Sequence, residues 1–534
     1  MHTLMKHISS LFVILPLFFL PFNSYSENVN MKLQGADDCG KKLNTELINQ
    51  TITDLSSKGG GTLYFPAGTY LTGAIKLKSN ITIELESGAV LLFSDNFDDY
   101  LPFVEMRYEG VVMKSFSPLF YAINEENIAI KGRGTINGQG EKWWKEFYRI
   151  IEDMQKNGIR DINKYQSLWK KENNIEELYK NTNEDYKNTL QRRFFRPPLF
   201  QPIRCKNILV EGVTIINSPF WTINPEFCEN VTIKGITINN PISPNTDGIN
   251  PSSCKNVHIS DCHINVGDDC ITLKSGRDKQ GRDLATPCEN ITITNCTMLA
   301  GHGGVVIGSE MSGDVRKVVI SNCVFDGTDR GIRIKSTRGR GGIVEEISVN
   351  NIVMKDIKKE AIVLNLYYSK MNPEPVSERT PIFRNIHISN LVGTKINTAA
   401  KMLGLEEMPV SDVTLSNIHI QSATGLNIDR AKNINLNNVR IDASKGIPFV
   451  LSHIDNAILT NVSTGLPSAS VPVISISDSK EIFIRGCFPL AGNKAFLHLQ
   501  GENNDIILMN NYLKRLPQIV DKESKGSRNG LIVE

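Results

Sequence analysis

Net charge is the first thing this 534-residue chain lacks. Its 59 Lys and Arg against 57 Asp and Glu leave only +2 at pH 7. No global field steers it to nucleic acid or to an anionic membrane, so any pull on an anion must be local. It also has only one long apolar run. That run, over residues 8–22, follows Lys6 and His7, is broken by Pro16 and Pro21, and ends just before the small residues Ser24 and Ser26. The pattern reads as a secretory signal over 1–26, not as a spanning helix, which needs about 20 apolar residues in a row. No cysteine stands at its end for lipid attachment. An exported protein, periplasmic or extracellular and with no membrane partner, is expected. Cysteines number ten, yet no two have CxxC spacing, which argues against zinc. No loop has the regularly spaced Asp, Asn and Glu of a calcium site. No metal or cofactor is expected.

What the chain does have is a repeat. Its phrase is an opening Asn, alternating apolar residues, a break at Asn, Asp or Gly, and more alternation. Copies open at Asn80, Asn127, Asn207, Asn230, Asn256, Asn290, Lys317, Glu346, Asn385, Asp412, Asn433, Asn456, Glu481 and Asp505, mostly 21 to 29 residues apart. Alternation with period two argues strands with one buried face. Two or three short strands per repeat make one rung of a right-handed, single-stranded parallel β-helix, an all-β fold. Leucine-rich repeats need regular Leu positions and a helical segment, and propeller blades run nearer 40 residues. The recurring Asn suggests an internal amide ladder at a tight turn, where Asn tolerates left-handed geometry. Cys205, Cys228, Cys254 and Cys288 each precede an opener by two residues, while Cys262, Cys296 and Cys323 each close a phrase. Such recurrence favours buried thiols stacked coil on coil over a disulfide framework, which export would permit.

Two regions depart from the repeat, within what reads as one catalytic domain over 27–534. Residues 27–78 read as an N-terminal cap, which an open-ended solenoid needs. Residues 141–198, rich in Lys, Glu, Asn and aromatics, read as a helical loop insertion. It is either a solvated decoration or a wall at one end of a binding groove.

Chemistry-bearing residues gather in consecutive repeats: Asn245-Thr246-Asp247, Gly267-Asp268-Asp269, Gly301-His302-Gly303 and Arg333-Ile334-Lys335. Aligning the second strands stacks Ile249, Ile271, Val305 and Ile332 inward. Asp268 then shares a register with His302, Asp247 lies within about one residue of Asp269, and Arg333 and Lys335 point outward from one strand face. With parallel strands roughly 4.8 Å apart, the aspartates come within one or two rung spacings of each other. Crowded carboxylates repel, so at least one should keep its proton near neutral pH, as an acid beside a base requires. Any one of these clusters alone is usually a turn. Four in order, in register, form a site for acid/base hydrolysis of an anionic substrate.

At these residues the chain resembles the polygalacturonase family of pectin-degrading glycoside hydrolases, family 28, whose four signature segments stand here as NTDG from Asn245, GDDC from Gly267, GHGG from Gly301 and RIKS from Arg333. The resemblance implies inverting hydrolysis of α-linked galacturonic acid in an acidic pectic polysaccharide; a monomer is expected, though nothing in the sequence fixes the oligomeric state. It implies that Asp268 is the general acid, that Asp247 and Asp269 activate the attacking water, and that His302 tunes Asp268. Arg333 and Lys335 would grip the galacturonate carboxylate, with Asn245 also on the substrate side. Tyr368 would pack on the sugar, although Tyr367 is adjacent. The insertion favours exo over endo action. The acceptor sugar, galacturonic acid or rhamnose, stays open. A pectate lyase and a non-catalytic polysaccharide-binding β-helix are the alternatives. The loop cations Arg277, Lys279, Arg282, Arg338 and Arg340 are either solvated loop charges, the favoured reading, or contacts for further acidic groups on a branched pectin.

Overall fold

A computed structural model describes residues 27–526 and 530–533 as a right-handed parallel β-helix. The secretory segment expected over 1–26 lies outside the described residues. Among the described residues, no helix is long and apolar enough to cross a membrane.

Each turn carries strands on three faces. The first face stacks Lys206–Glu211, Glu229–Lys234, Lys255–Ser260 and Cys288–Thr294 in parallel. The second stacks Thr214–Ile216, Thr237–Asn240, His263–Val266 and Thr297–Ala300. The third stacks Asp269–Leu273, Gly303–Ile307, Ile332–Lys335 and Glu360–Asn365. Alternation sends every second side chain inward. Ile249, Ile271, Val305, Ile332 and Ile362 therefore form one fully buried row behind the third face, each worth roughly 1.5–3 kcal/mol of burial. All seven repeat-matched cysteines are buried thiols in this core.

Every phrase-opening residue from Asn80 to Asp505 is left-handed, with φ between 52° and 69°. The amide ladder exists but lies outside the coil, correcting its expected internal position. Asn230 Nδ2 donates to Asn207 Oδ1 at 3.1 Å, Asn256 to Asn230 at 3.1 Å and Asn290 to Asn256 at 3.0 Å, at largely exposed positions. The inward position belongs to the apolar residue that follows each opener, such as Val231 or Val257, so the opener's amide faces solvent. Asn256→Ala loses two ladder bonds and puts a Cβ-bearing residue without a compensating amide at φ 57°. It is expected to lower stability by about 1–2 kcal/mol, read as a fall in Tm, with Asn256→Gly losing less.

At the N-terminal end, helix α1 (Thr45–Ser57) buries Ile48, Ile52 and Leu55. A Cβ on Gly61 would stand 2.9 Å from Leu55 Cδ2, so glycine is what lets the helix close the core. Parallel pairing already runs through the stretch read as cap, where Glu27–Asn30 pairs with the Gly61–Phe65 strand and that strand with Ile81–Leu85.

The insertion is helical: α2 (Glu141–Asn157), α3 (Lys164–Glu172), α4 (Ile175–Lys180) and α5 (Glu184–Leu190). It packs on an antiparallel hairpin, Val104–Tyr108 with Val111–Ser115, that the repeat pattern did not reveal. Met106, Tyr108, Val111 and Met113 of the hairpin join Trp169, Leu178, Tyr186 and Leu190 of the insertion in a second apolar cluster, which seats on Phe220 and Trp221 of the solenoid. Tyr108 stacks on Phe220 with centroids 4.4 Å apart.

Candidate active site

The third face brings the four clusters together. Asp269 is in register with Gly303, which sets His302 beside Asp268 on the next rung. The pairing of Ile249 with Ile271 sets Asp247 beside Asp269. Carboxylate oxygens of Asp247, Asp268 and Asp269 all lie within 4.8 Å of one another. That is close enough to share a cation, and the chain supplies cations of its own. Lys335 Nζ reaches Asp269 Oδ2 at 2.7 Å and Arg333 Nη1 reaches Asp269 Oδ1 at 3.2 Å. The Arg333 side chain reaches past Gly303 to do so. A Cβ on Gly303 would lie 3.5 Å from Asp269 Oδ1 and 3.6 Å from Arg333 Cδ. The two cations thus do not face out as a free clamp but sit on Asp269, and Lys335 also lines the cavity.

The electrostatics divide the carboxyls. Asp247 is buried, and burial first, then the charge of Asp268, holds its carboxyl well above the usual range. Its Oδ1 has no hydrogen-bond partner. Asp269 is equally buried, but Lys335, Arg333 and Lys274 overcome that burial and hold its carboxyl below the usual range. Asp268 is the most open of the three, its side chain 18% exposed against 1% for Asp269. It accepts from its neighbour's amide, Asp269 N, at 2.9 Å and from Asn245 Nδ2 at 3.4 Å. His302 Nδ1 lies 3.1 Å from Asp268 Oδ1, and that hydrogen bond raises the imidazole above its ordinary pKa of 6.5.

The remaining expected residues also converge. Asn245 is left-handed at φ 52° and its Oδ1 accepts from Arg196 Nη2 at 2.8 Å. Arg196 is buried and lies 4.1 Å from the Phe147 ring of α2, so the insertion supports the Asn245 turn. Tyr368 lies over the cation pair, its ring 5.3 Å from Lys335 Nζ and 5.8 Å from Arg333 Cζ. The ring of Tyr367 instead holds Arg338 at 5.2 Å, which separates the two neighbours.

Several residues of the cavity were missed or misread from sequence. Arg277, Arg338 and Arg340 are not solvated loop charges. Arg338 pairs with Glu407 at 2.5 Å, Arg277 with Glu310 at 2.5 Å, and Arg340 pairs with Asp278, all with little exposure. Arg282 donates to the carbonyls of Gly339 and Arg340, and only Lys279 stays in solvent, paired with Asp283. Pairing with buried acids is why these loops fold inward. Glu310 is buried too, yet Lys274, Arg277 and Arg340 hold it well below the usual range. Lys274 is buried with its Nζ 2.8 Å from Glu310 Oε2 and 4.6 Å from the Trp221 ring. Its signal was visible, since Lys274 precedes Ser275 as Lys335 precedes Ser336 in the aligned phrases.

The cavity is closed on one side. Thr222 N donates to the Asp247 carbonyl at 2.8 Å, so Phe220 and Trp221, capped by the hairpin and insertion, fill the groove one rung before Asp247. Tyr186 and Thr189 of α5, Glu109 at the hairpin tip and Trp221 line the same space as the aspartates, Lys335 and Tyr368. Asn183, just before α5, bonds Asp278 through its backbone N at 3.0 Å and Nδ2 at 2.9 Å. The cavity measures ≈ 200 Å³, below the roughly 300–1,000 Å³ of sites for drug-sized ligands.

Comparison with known proteins shows the family. The profile of Glycosyl hydrolases family 28 matches residues 179–444. A probable polygalacturonase of Vitis vinifera is 31% identical over 395 residues, covering 72% of each chain. The structure of a hyperthermoactive exopolygalacturonase from Thermotoga maritima is 34% identical with a TM-score of 0.68, covering 79% of this chain and 93% of that one. A family 28 exopolygalacturonase from Yersinia enterocolitica is 25% identical with a TM-score of 0.65, covering 81% and 78%.

Proposed function

Because the chain belongs to glycosyl hydrolase family 28, and so is a glycosidase hydrolysing the bonds of polygalacturonan, we propose that it is an exported, exo-acting enzyme that removes galacturonic acid from the ends of pectic chains with inversion. The observation that supports exo action is the aromatic cluster one rung before Asp247, whose Trp221 lines the same cavity as the aspartates and would stop a chain from continuing past that side. The exopolygalacturonases among the relatives agree with it. Export rests on the signal read over 1–26, and a monomer is the simplest state.

In this reading the sugar carboxylate meets Arg333 and Lys335, which offer a planar fork and a point charge, and Tyr368 packs on the ring. Asp268 gives its proton to the glycosidic oxygen as the bond to C1 breaks. Asp247 and Asp269 orient a water on the opposite face, and one of them takes its proton as it attacks C1. Oxygens within 4.8 Å stand closer than the roughly 6.5–9.5 Å usual between the carboxyls of inverting enzymes, so inversion is supported by the residue match to the family and not by spacing.

One digestion tests these points together. Reduced-end-labelled oligogalacturonides, followed by proton NMR from the first minutes, should release a single small product from the unlabelled end, appearing first as the β-anomer. Products of many sizes would overturn exo action, and an initial α-anomer would overturn inversion. An unsaturated product absorbing near 235 nm and lost with chelator would mean a lyase. On mixed pectic oligosaccharides, the same digest reads whether galacturonic acid or rhamnose lies across the bond.

A further inference from the structure

The proposed chemistry needs an ionised Asp247 beside Asp268 as the proton donor, yet burial opposes the ionisation of Asp247. Something must bias the pair. The charged groups facing Asp247 are Asp268 and Asp269, which oppose its ionisation, and Lys274 and Lys335, which favour it. Lys335 is already bonded to Asp269. Lys274 is different. It directly follows the strand that Asp269 opens, lines the same cavity as Asp247, and has one acceptor bond, to Glu310, for an ammonium with three donors. Asp247 Oδ1 is a buried oxygen with no partner in that cavity.

We infer that Lys274 is a positioning residue that holds Asp247 as the ionised base so that Asp268 carries the proton to the substrate. The inference rests on the hydrolytic reading above. Glu310 and the Trp221 ring fix the ammonium in place. Glu310 is fixed in turn by Arg277, whose guanidinium lies 4.1 Å from the Tyr186 ring and whose Nε donates to the Glu109 carbonyl at 3.0 Å. Tyr186 belongs to the insertion and Glu109 to the hairpin tip. The plug that closes the groove therefore also holds the charge that sets the base.

The inference makes a prediction of sign. Lys274→Met removes a positive charge beside Asp247, so the acid limb of the pH profile of kcat should move about one pH unit higher. At the wild-type acid limb kcat should drop about tenfold, with KM changed less than about threefold. Glu310 keeps Arg277 and Arg340, so the fold should survive. Glu310→Gln removes the negative charge that offsets Lys274, so its acid limb should move lower. Lys274→Arg should restore the limb towards wild type. Opposite shifts are outside the reach of a purely structural role. A common fall in kcat and Tm with an unmoved limb would overturn the inference, as would a rise in KM alone, which would make Lys274 a substrate contact. If Glu310→Gln does not fold, the limb positions of the two Lys274 variants still decide. If Asp268→Asn and Asp247→Asn stay active, the hydrolytic reading itself has failed. If both are inactive while Lys274→Met keeps the wild-type profile, only this inference has.

Discussion

Asp268→Asn should abolish nearly all turnover on oligogalacturonides, cutting kcat by about 10²–10⁴-fold, while KM stays within about threefold and Tm is unmoved. The amide is isosteric with the carboxyl, and its oxygen at the Oδ1 position can keep the contacts with His302 and Asp269 N, losing only the 3.4 Å bond from Asn245 Nδ2, so the site should remain assembled. What it cannot do is give a proton to a leaving oxygen. The wild-type pH profile should carry the same information. The imidazole of His302, raised by its bond to Asp268, keeps its proton to higher pH than an isolated imidazole, whereas the raised carboxyl of Asp247 must be ionised to act and so bears on the acid limb. Activity should therefore hold into the neutral range and fall as pH rises further and the acid is deprotonated. On the other side, Asp269 stays ionised to low pH because Lys335 and Arg333 overcome its burial, so it does not limit the acid limb. Asp268→Asn activity equal to wild type would leave a β-helix that binds polysaccharide without cutting it. Activity still rising above pH 9 would remove the acid from the mechanism.

Most of the solenoid was legible because its pattern is local. Each rung writes the same opener and the same alternation, so φ at Asn256 and the inward row from Ile249 to Ile332 follow from residues within a few positions. The four clusters were legible for the same reason: register converts sequence spacing into distance. What sequence did not yield depends on contacts between distant segments. The hairpin at Val104–Ser115 has no repeat to mark it, and it is held by Trp169, Phe195 and Phe220, which lie far along the chain. Arg277 and Arg340 looked like loop charges because their partners, Glu310 and Asp278, lie 33 and 62 residues away. The ladder's side was misjudged because a turn residue carries no alternation to say which way it faces.

Lys335→Met should be the most damaging change on the cation side, and it separates two roles that the resting geometry combines. Lys335 is bonded to Asp269 at 2.7 Å with both side chains buried. It is also the point charge nearest the Tyr368 ring, where the substrate carboxylate is proposed to sit. Truncating one partner of a buried, hydrogen-bonded charge pair costs about 2–5 kcal/mol, or roughly 30- to several-thousand-fold in kcat/KM. Asp269 keeps Arg333 at 3.2 Å, which should spare the fold. If the lost term is the grip on the uronate, the fall should be large on free oligogalacturonides and much smaller on methyl esters, whose carboxyl carries no charge for Lys335 to meet. If Lys335 acts only through Asp269, both substrates should lose equally, because the base is weakened whatever the sugar carries. The anion-binding role requires the first outcome. Equal loss on acid and ester would transfer recognition of the galacturonate to Arg333 and leave Lys335 as the residue that keeps Asp269 ionised.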